Sequence, residues 1–339
     1  MLQNKLLHYR IPFYELLGAS VDLTVVHSGD YSALHERFTN KIVPSHKIGP
    51  FNLQLYCASE IESSDVVIGM FDLRWLTIMY IFLWCKFRNK KFVWWIGDRG
   101  SSKLVFYLKT LICRISDHVI FYNDLAKSHF EKVTGPSSKY KVANNTFDVG
   151  VNLSESEVAN TDRKSLIFVG SFDYRKRLDL IVTGYGKYRE ALEGYDLLLL
   201  GDGEQHSTVK KLVQELGLEK AIKMPGRVVD PKALEYYYKH SLVSLSYGQA
   251  GLSVLQSLGN GVPFITTCNA ISGGEISNIR HGQNGYLSDE NIDSFFSYIV
   301  SIVGDEDLAL RLRIGALTHY KENCTMNNMV ASFLEVINE

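Results

Sequence analysis

The chain has 339 residues, 46% hydrophobic and 22% charged, with a net charge of −1. That is too long for a single core and too apolar for a disordered chain, so two globular domains are expected. With near-neutral charge and one basic region only, nucleic acid is not an expected partner.

The neutral total hides an asymmetry: residues 1–160 carry 18 Lys+Arg against 15 Asp+Glu, and the remainder 18 against 22. The five cysteines, Cys57, Cys85, Cys113, Cys268 and Cys324, are widely spaced and mostly in apolar surroundings. They read as reduced core residues of a cytosolic protein, with neither a disulfide framework nor metal spacing. The sequence carries no recognisable signal peptide and no repeat.

In chain order, Met1 to Leu17 does not open on a buried strand, and the first expected strand is Val21 to His27. Asp65 to Gly69 and Lys91 to Ile96 follow as short apolar strands. Arg74 to Arg114 carries nine Lys+Arg against one Asp, interleaved with Trp75, Tyr80, Phe82, Trp84, Phe87, Trp94, Trp95, Phe106 and Tyr107. Two readings fit this region: an aromatic and cationic surface for an anionic membrane, or a core helix with one basic face. Its apolar run from Trp75 to Cys85 has 11 residues, too short to span a bilayer.

Trp94 to Gly100 is a strand running into a glycine turn, with Asp98 and Arg99 at its tip as functional groups or as a salt-linked turn. Ser116 to Tyr122 is the next strand, and Asn123-Asp124 caps the helix after it. Lys141 to Ala143 leads through Asn144-Asn145-Thr146 into residues 149–164, which are polar and aperiodic, as a domain boundary is. The expected domains are 1–155 and 156–320, with 321–339 a helix returning to the first.

Ser165 to Gly170 restarts a buried strand, followed by Ser171, Arg175, Lys176 and Arg177. Three consecutive cations after a strand suit the charge of a leaving phosphate, or form a solvated run before a helix. Asp196 to Leu200 meets Gly201-Asp202-Gly203, and Ile222 to Gly226 precedes Arg227-Val228. Leu242 to Tyr247, a turn opened by Gly248 and Gly251, a helix over Leu252 to Leu258 and a strand over Val262 to Thr267 make one βαβ unit. The N–H groups of Leu252, Ser253 and Val254 face the strand C-terminal edge, where an anion sits well. Asp305-Glu306-Asp307 has the Asp-x-Asp form of a metal site but the position of helix-stabilising acids, so no metal is expected.

Several of these segments resemble glycosyltransferase family 4. Its donor segment reads Glu-Gly-Phe-Gly-Leu-Pro-x-x-Glu-Ala-x-x-x-Gly-x-Pro-Val-Ile, and Gly251-Leu252, Gly261, Pro263 and Ile265 match in register, with Gly248 and Gln256 in place of the two glutamates. The Gly-Leu-Ser form resembles a divergent branch of the family. Ser171 to Asp179 is similar to the family's Gly-Arg-x-x-x-x-Lys-Gly-x-Asp, with Lys176 on the lysine, Ser171 for the arginine and Arg177 for the glycine. Gly201-x-Gly203, Arg227-Val228, Gly273-Gly274-Glu275-Ile276 and Gly282-Gln283-Asn284-Gly285 also resemble family loops.

The resemblance implies an α/β chain of GT-B architecture, two Rossmann-like domains facing across a cleft. Donor binding would fall to Gly170, Ser171, Arg175, Arg177, Gly201, Gly203, Arg227, Val228, Gly248, Gln249, Gly251, Leu252, Ser253 and Gln256. Lys176 would stabilise the leaving diphosphate, Asp98 would orient or deprotonate an acceptor hydroxyl, and Arg99 would bind a lipid-linked acceptor's diphosphate. His8 and Arg10 would lie on the acceptor side, in the turn that follows the family's first strand, or else take an exposed or capping role; that strand is absent, shortened or lost to start-site choice.

The implied function is retaining transfer of a hexose or N-acetylhexosamine from a nucleotide-diphosphate sugar to a glycan acceptor, expected to be polyprenyl-diphosphate-linked, in O-antigen or capsule assembly. Family members need no protein nucleophile, and no metal or other cofactor is expected. The expected location is cytoplasmic, peripheral at the inner face of the plasma membrane, through region 74–114. Loss of both glutamates, and of the family's arginine at Ser171, leaves a second reading, a non-catalytic GT-B scaffold that binds nucleotide sugar or glycan. A third, a nucleotide-sugar hydrolase or epimerase, has no specific support.

Overall fold

A computed structural model of the chain describes residues 1–55, 58–97, 102–150, 152–159 and 162–339. They form two compact units, residues 1–148 with 324–339, and residues 149–323.

The first unit contains α1 (Ile11–Gly18), β1 (Thr24–His27), β2 (Thr39–Ile42), the antiparallel hairpin β3 (Ser45–Ile48) and β4 (Phe51–Gln54), α2 (Ala58–Ser63), β5 (Val66–Met70) and α3 (Leu76–Phe87). It continues with β6 (Lys91–Ile96), α4 (Lys103–Ile115), β7 (His118–Phe121), α5 (Asp124–Thr134) and β8 (Tyr140–Val142). Strands β5-β6-β7-β8 are parallel neighbours, and β1 pairs with β2. The opening segment joins the two groups. Leu2 N–H donates to Ile68 O (2.7 Å), Met70 N–H to Leu2 O (3.0 Å), and Gln3 N–H to Val26 O (2.9 Å). In place of a first strand, buried Leu2 therefore bridges β1 and β5.

Strand β6 shows why this unit folds as a layered sheet. Its side chains alternate: Phe92, Trp94 and Ile96 pack with Ile78, Ile81 and Phe82 of α3 and Phe130 of α5, while Val93 and Trp95 pack with Phe13 and Tyr14 of α1. Trp75, Phe82, Trp94 and Trp95 are thus core residues and leave the surface pattern expected for region 74–114.

The second unit holds α6 (Glu155–Ala159), β9 (Ser165–Val169), α7 (Leu178–Lys187), β10 (Asp196–Leu200), α8 (His206–Glu215), β11 (Ile222–Gly226) and α9 (Pro231–Lys239). After these come β12 (Ser241–Leu245), α10 (Ser253–Gly259), β13 (Phe264–Thr267), β14 (Gly285–Ser288), α11 (Ile292–Gly304) and α12 (Glu306–Asn323). Its six strands are parallel, in the order β11-β10-β9-β12-β13-β14. That is the doubly wound order, in which the chain reverses direction across the sheet between β9 and β12. The last helix, α13 (Met326–Asn338), belongs to the first unit, where Phe333 packs on Phe13 (4.8 Å between rings) and Trp95 (5.1 Å).

Candidate functional site

In a doubly wound sheet the loops after the two strands flanking the reversal splay apart and leave a crevice. Here those loops are residues 170–177 after β9 and 246–252 after β12.

The first loop is shaped by short-range polar contacts. Ser171 Oγ donates to Asp173 Oδ2 (2.8 Å), and Asp173 Oδ1 accepts from the Arg175 N–H (3.0 Å), capping a single 3-10 turn over Tyr174–Lys176. Burial pushes the Asp173 carboxyl up, but hydrogen bonds from Arg175 and Ser171 hold it below its ordinary value. Arg177 follows in the left-handed region (φ 53°, ψ 46°) and caps the start of α7. The three cations then part company. Arg175 Nε donates to Asp173 (3.1 Å), and Arg177 Nε and Nη2 donate to Asp179 (3.1 and 3.0 Å). Lys176 turns inward, 8% exposed, with Nζ 3.4 Å from Gln249 O. Burial lowers its pKa; Asp173 and Glu275 oppose that and Arg175 adds to it.

The second loop is stitched to both neighbours. Gly248 N–H donates to Lys176 O (3.3 Å), Ser246 Oγ to Gln249 O (2.6 Å), Ala250 N–H to Ile271 O (2.9 Å) and Ile271 N–H to Gly248 O (3.0 Å). A Cβ at Gly251 would meet open space, so the turn is uncovered there. Leu252 and Ser253 start α10 without a side-chain cap, and Gln256 lies half-buried on it.

Gly201 and Gly203 have a packing role. With φ 153° and 156°, they let the loop after β10 meet the loop after β9; a Cβ on Gly201 would stand 1.8 Å from Gly170 O, and one on Gly203 2.7 Å from Phe172 O. Arg227 is exposed and Val228 half-buried beyond β11, in a turn tied to this loop by Gly201 N–H to Gly226 O (2.9 Å). Asp305 Oδ1 accepts from Leu308 N–H (2.9 Å) at the start of α12.

Glu275, quoted only as part of a family-like loop, brings a carboxylate to this site. It is buried, Oε2 accepts from Ser272 Oγ (3.1 Å), and its charge acts on Lys176. Two glycines before it, Gly273 and Gly274, are the available sequence signal: a Cβ on Gly273 would stand 3.2 and 3.3 Å from the Glu275 carboxylate oxygens.

In the first unit, His8 is exposed while Arg10 is buried. The Arg10 guanidinium stacks on Trp95, its Cζ 4.3 Å from the ring centre, and donates to Tyr122 Oη (2.7 Å) and Asn145 Oδ1 (3.3 Å). Asp98 and Arg99 lie outside the described residues.

Comparison with known proteins now bears on this arrangement. Solved structures include the Anabaena protein Alr3699/HepE in complex with UDP and glucose, with a TM-score of 0.67 and 14% identity, covering 99% of this chain and 98% of that one. A glycosyltransferase from Rickettsia africae gives 0.69 at 15% identity, covering 99% and 96%. The fold is GT-B.

Within this GT-B chain, residues 152–318 match the family described as glycosyl transferases group 1. Among curated proteins, the lipopolysaccharide core biosynthesis glycosyltransferase LpsE of Rhizobium meliloti is 28% identical over 152 residues, 44% of this chain and 43% of that protein. An uncharacterised glycosyltransferase of Haemophilus influenzae is 22% identical over 222 residues, 64% of this chain and 59% of that protein. The chain thus spans about half the length of the curated relatives it matches.

Proposed function

We propose that the chain is a retaining glycosyltransferase of family 4 that moves a hexosyl or N-acetylhexosaminyl group from a nucleotide-diphosphate sugar to a glycan acceptor in surface polysaccharide assembly. The observation that carries this reading is Lys176: a buried ammonium beside the uncovered glycine turn, at the strand-order reversal of a unit that matches glycosyl transferases group 1. A desolvated cation attracts a diphosphate more strongly than a solvated one, and its attraction grows as the glycosidic bond breaks and charge collects on the leaving oxygen. Gln256 would hydrogen-bond the ribose, and the leaving phosphate would draw the acceptor proton on the same face. This mechanism needs no protein nucleophile and no metal.

The complexes of HepE with UDP, and the lipopolysaccharide role named for LpsE, make a uridine nucleotide and a surface glycan the first candidates. In the first unit, Leu83, Phe87, Leu104 and Tyr107 of α3 and α4 are exposed apolar residues with Arg88 and Lys103 close in sequence, which supports peripheral contact with an anionic, cytoplasmic membrane face and hence a polyprenyl-linked acceptor. Among the described residues, no helix is long and apolar enough to cross a membrane.

The scaffold reading is favoured by the absence of carboxylates at Gly248 and Gln256 and of an arginine at Ser171. Buried Glu275, whose charge acts on Lys176, weighs against it. A thermal-shift screen against uridine, guanosine, thymidine and cytidine diphosphates tests the site first. At about 100 times the dissociation constant, linkage gives roughly 2.7 kcal/mol of stabilisation and a shift of several degrees with the cognate nucleotide. No shift with any of the four rejects the donor site; a shift without turnover of the matching nucleotide sugars on any acceptor returns the scaffold reading.

A further inference from the structure

The hairpin of the first unit faces the wrong way for a soluble protein. It pairs Ser45 with Gln54, His46 with Leu53, Lys47 with Asn52 and Ile48 with Phe51. Side chains alternate along a strand, so His46, Ile48, Phe51 and Leu53 share one face, and Ser45, Lys47, Asn52 and Gln54 the other.

The hairpin is fastened to the unit along β4. Asn52 N–H donates to Arg74 O (2.7 Å), Gln54 N–H to Thr77 Oγ1 (2.9 Å), and Thr77 Oγ1 to Gln54 O (2.7 Å), all at the start of α3. Gln54 is buried, its Nε2 donating to Gln3 O (3.3 Å). The inward anchor is thus polar, while Ile48 is 59% exposed, Phe51 41% and Leu53 36%. Gly49 turns the tip with φ 58°, and a Cβ there would meet nothing within 4 Å. An apolar face turned outward on a projecting hairpin costs free energy in water until something covers it.

Charge and size select what covers it. Residues 37–59 carry Arg37, Lys41 and Lys47 and no Asp or Glu, and Lys47 and His46 are exposed beside the apolar tip. A second copy meeting this face about a twofold axis would set those like charges against each other. The three apolar side chains also fall well short of the roughly 800 Å² that a stable protein interface takes from each partner. A bilayer sets no such minimum, and its anionic headgroups suit Lys47 while its acyl region takes isoleucine, phenylalanine and leucine. We propose that the β3–β4 hairpin inserts its tip, Ile48 to Phe51, into the headgroup boundary of an anionic membrane. It extends the contact proposed for α3 and α4, and rests on that reading.

Flotation of the full chain with vesicles of phosphatidylcholine and phosphatidylglycerol tests this. Ile48→Ser with Phe51→Ser should lower the bound fraction several-fold at unchanged melting temperature, and Lys47→Gln should weaken binding to these vesicles only, not to phosphatidylcholine alone. Ile48→Trp supplies a second readout: its emission should shift to the blue on vesicles and be quenched by brominated acyl chains. Wild-type flotation that Phe87→Ser with Leu104→Ser leaves intact, but the hairpin variants abolish, would support the hairpin and remove α3 and α4 from the contact. Unchanged flotation of the I48S and F51S double variant, or an unquenched I48W, overturns the hairpin proposal while the α3 and α4 reading stands. Wild type that does not float overturns both. A dimer in sedimentation that the I48S and F51S double variant dissolves would assign the face to a second copy instead, and overturn insertion.

Discussion

A Cβ on Gly248 would stand 2.2 Å from the carbonyl oxygen of Arg175. The turn after β12 and the turn after β9 meet backbone to backbone, so residue 248 has no room for the glutamate that the family 4 pattern carries there. Gly248→Ala should cost about 1–3 kcal/mol by overpacking, seen as a lower urea midpoint with unchanged slope. Gly248→Glu should weaken nucleotide binding rather than improve it; a stable and more active G248E would show that the turn opens.

Lys176 and its two neighbours should behave differently despite their equal charge. Lys176→Ala is expected to lower turnover by about 10²–10³-fold with the fold intact, on the scale of losing one preorganised charge-stabilising group. Arg175→Ala should cost far less, because Arg175 already pairs with Asp173 at the protein surface. Because the Lys176 pKa is lowered from 10.5, donor affinity should fall as pH rises through that lowered value, before ordinary lysines titrate. An affinity profile that stays flat until ordinary lysines titrate would remove Lys176 from the donor's charge balance.

His319 makes a pH-dependent contribution to stability. Burial, and then Arg280, lower its pKa from 6.5 to about 4. Between those values the unfolded chain binds the proton and the folded chain does not, so stability falls as pH drops from 6.5 towards 4. Allowing for partial solvent screening, about 1 kcal/mol is at stake. His319→Gln should flatten the melting-temperature slope over that window, and an unchanged slope would mean that His319 charges freely in the fold.

The proposed membrane contact would rest on exposed apolar side chains more than on cations. Phe87 is 83% exposed and Leu104 71%, whereas Lys90 and Lys91 spend their ammonium groups on the carbonyl oxygens of Ile61 and Val336. Phe87→Ser with Leu104→Ser should reduce flotation with anionic liposomes several-fold at unchanged melting temperature, consistent with burial of about 25 cal/mol per Å² of apolar surface. Wild type that does not float would discard the contact.

Much of the sheet framework was legible because buried parallel strands are short apolar runs ended by glycine, as in Ser165–Val169 and Asp196–Leu200. The opening strand was not, since a segment whose ladder centres on Leu2 is too short for any periodicity. The β3–β4 hairpin escaped because its strands are almost wholly exposed and carry little apolar alternation. At the site, sequence offered Arg175, Lys176 and Arg177 as equals; the left-handed backbone at Arg177 and the cap at Asp173 direct one inward and two outward. Region 74–114 mixed two signals, because the tryptophans of β6 serve the core while α3 and α4 expose leucine, tyrosine and phenylalanine.

The last helix sets an order of events during synthesis. Residues 149–323 are contiguous and can assemble as soon as they have left the ribosome, but the first unit lacks Met329 and Phe333 of α13 until residues 326–338 have also been made. Until then, the apolar surface around Phe13 and Trp95 waits for Phe333, encoded 238 codons after Trp95 and 320 after Phe13. The unit that begins first thus waits for a segment that follows the second unit in the chain.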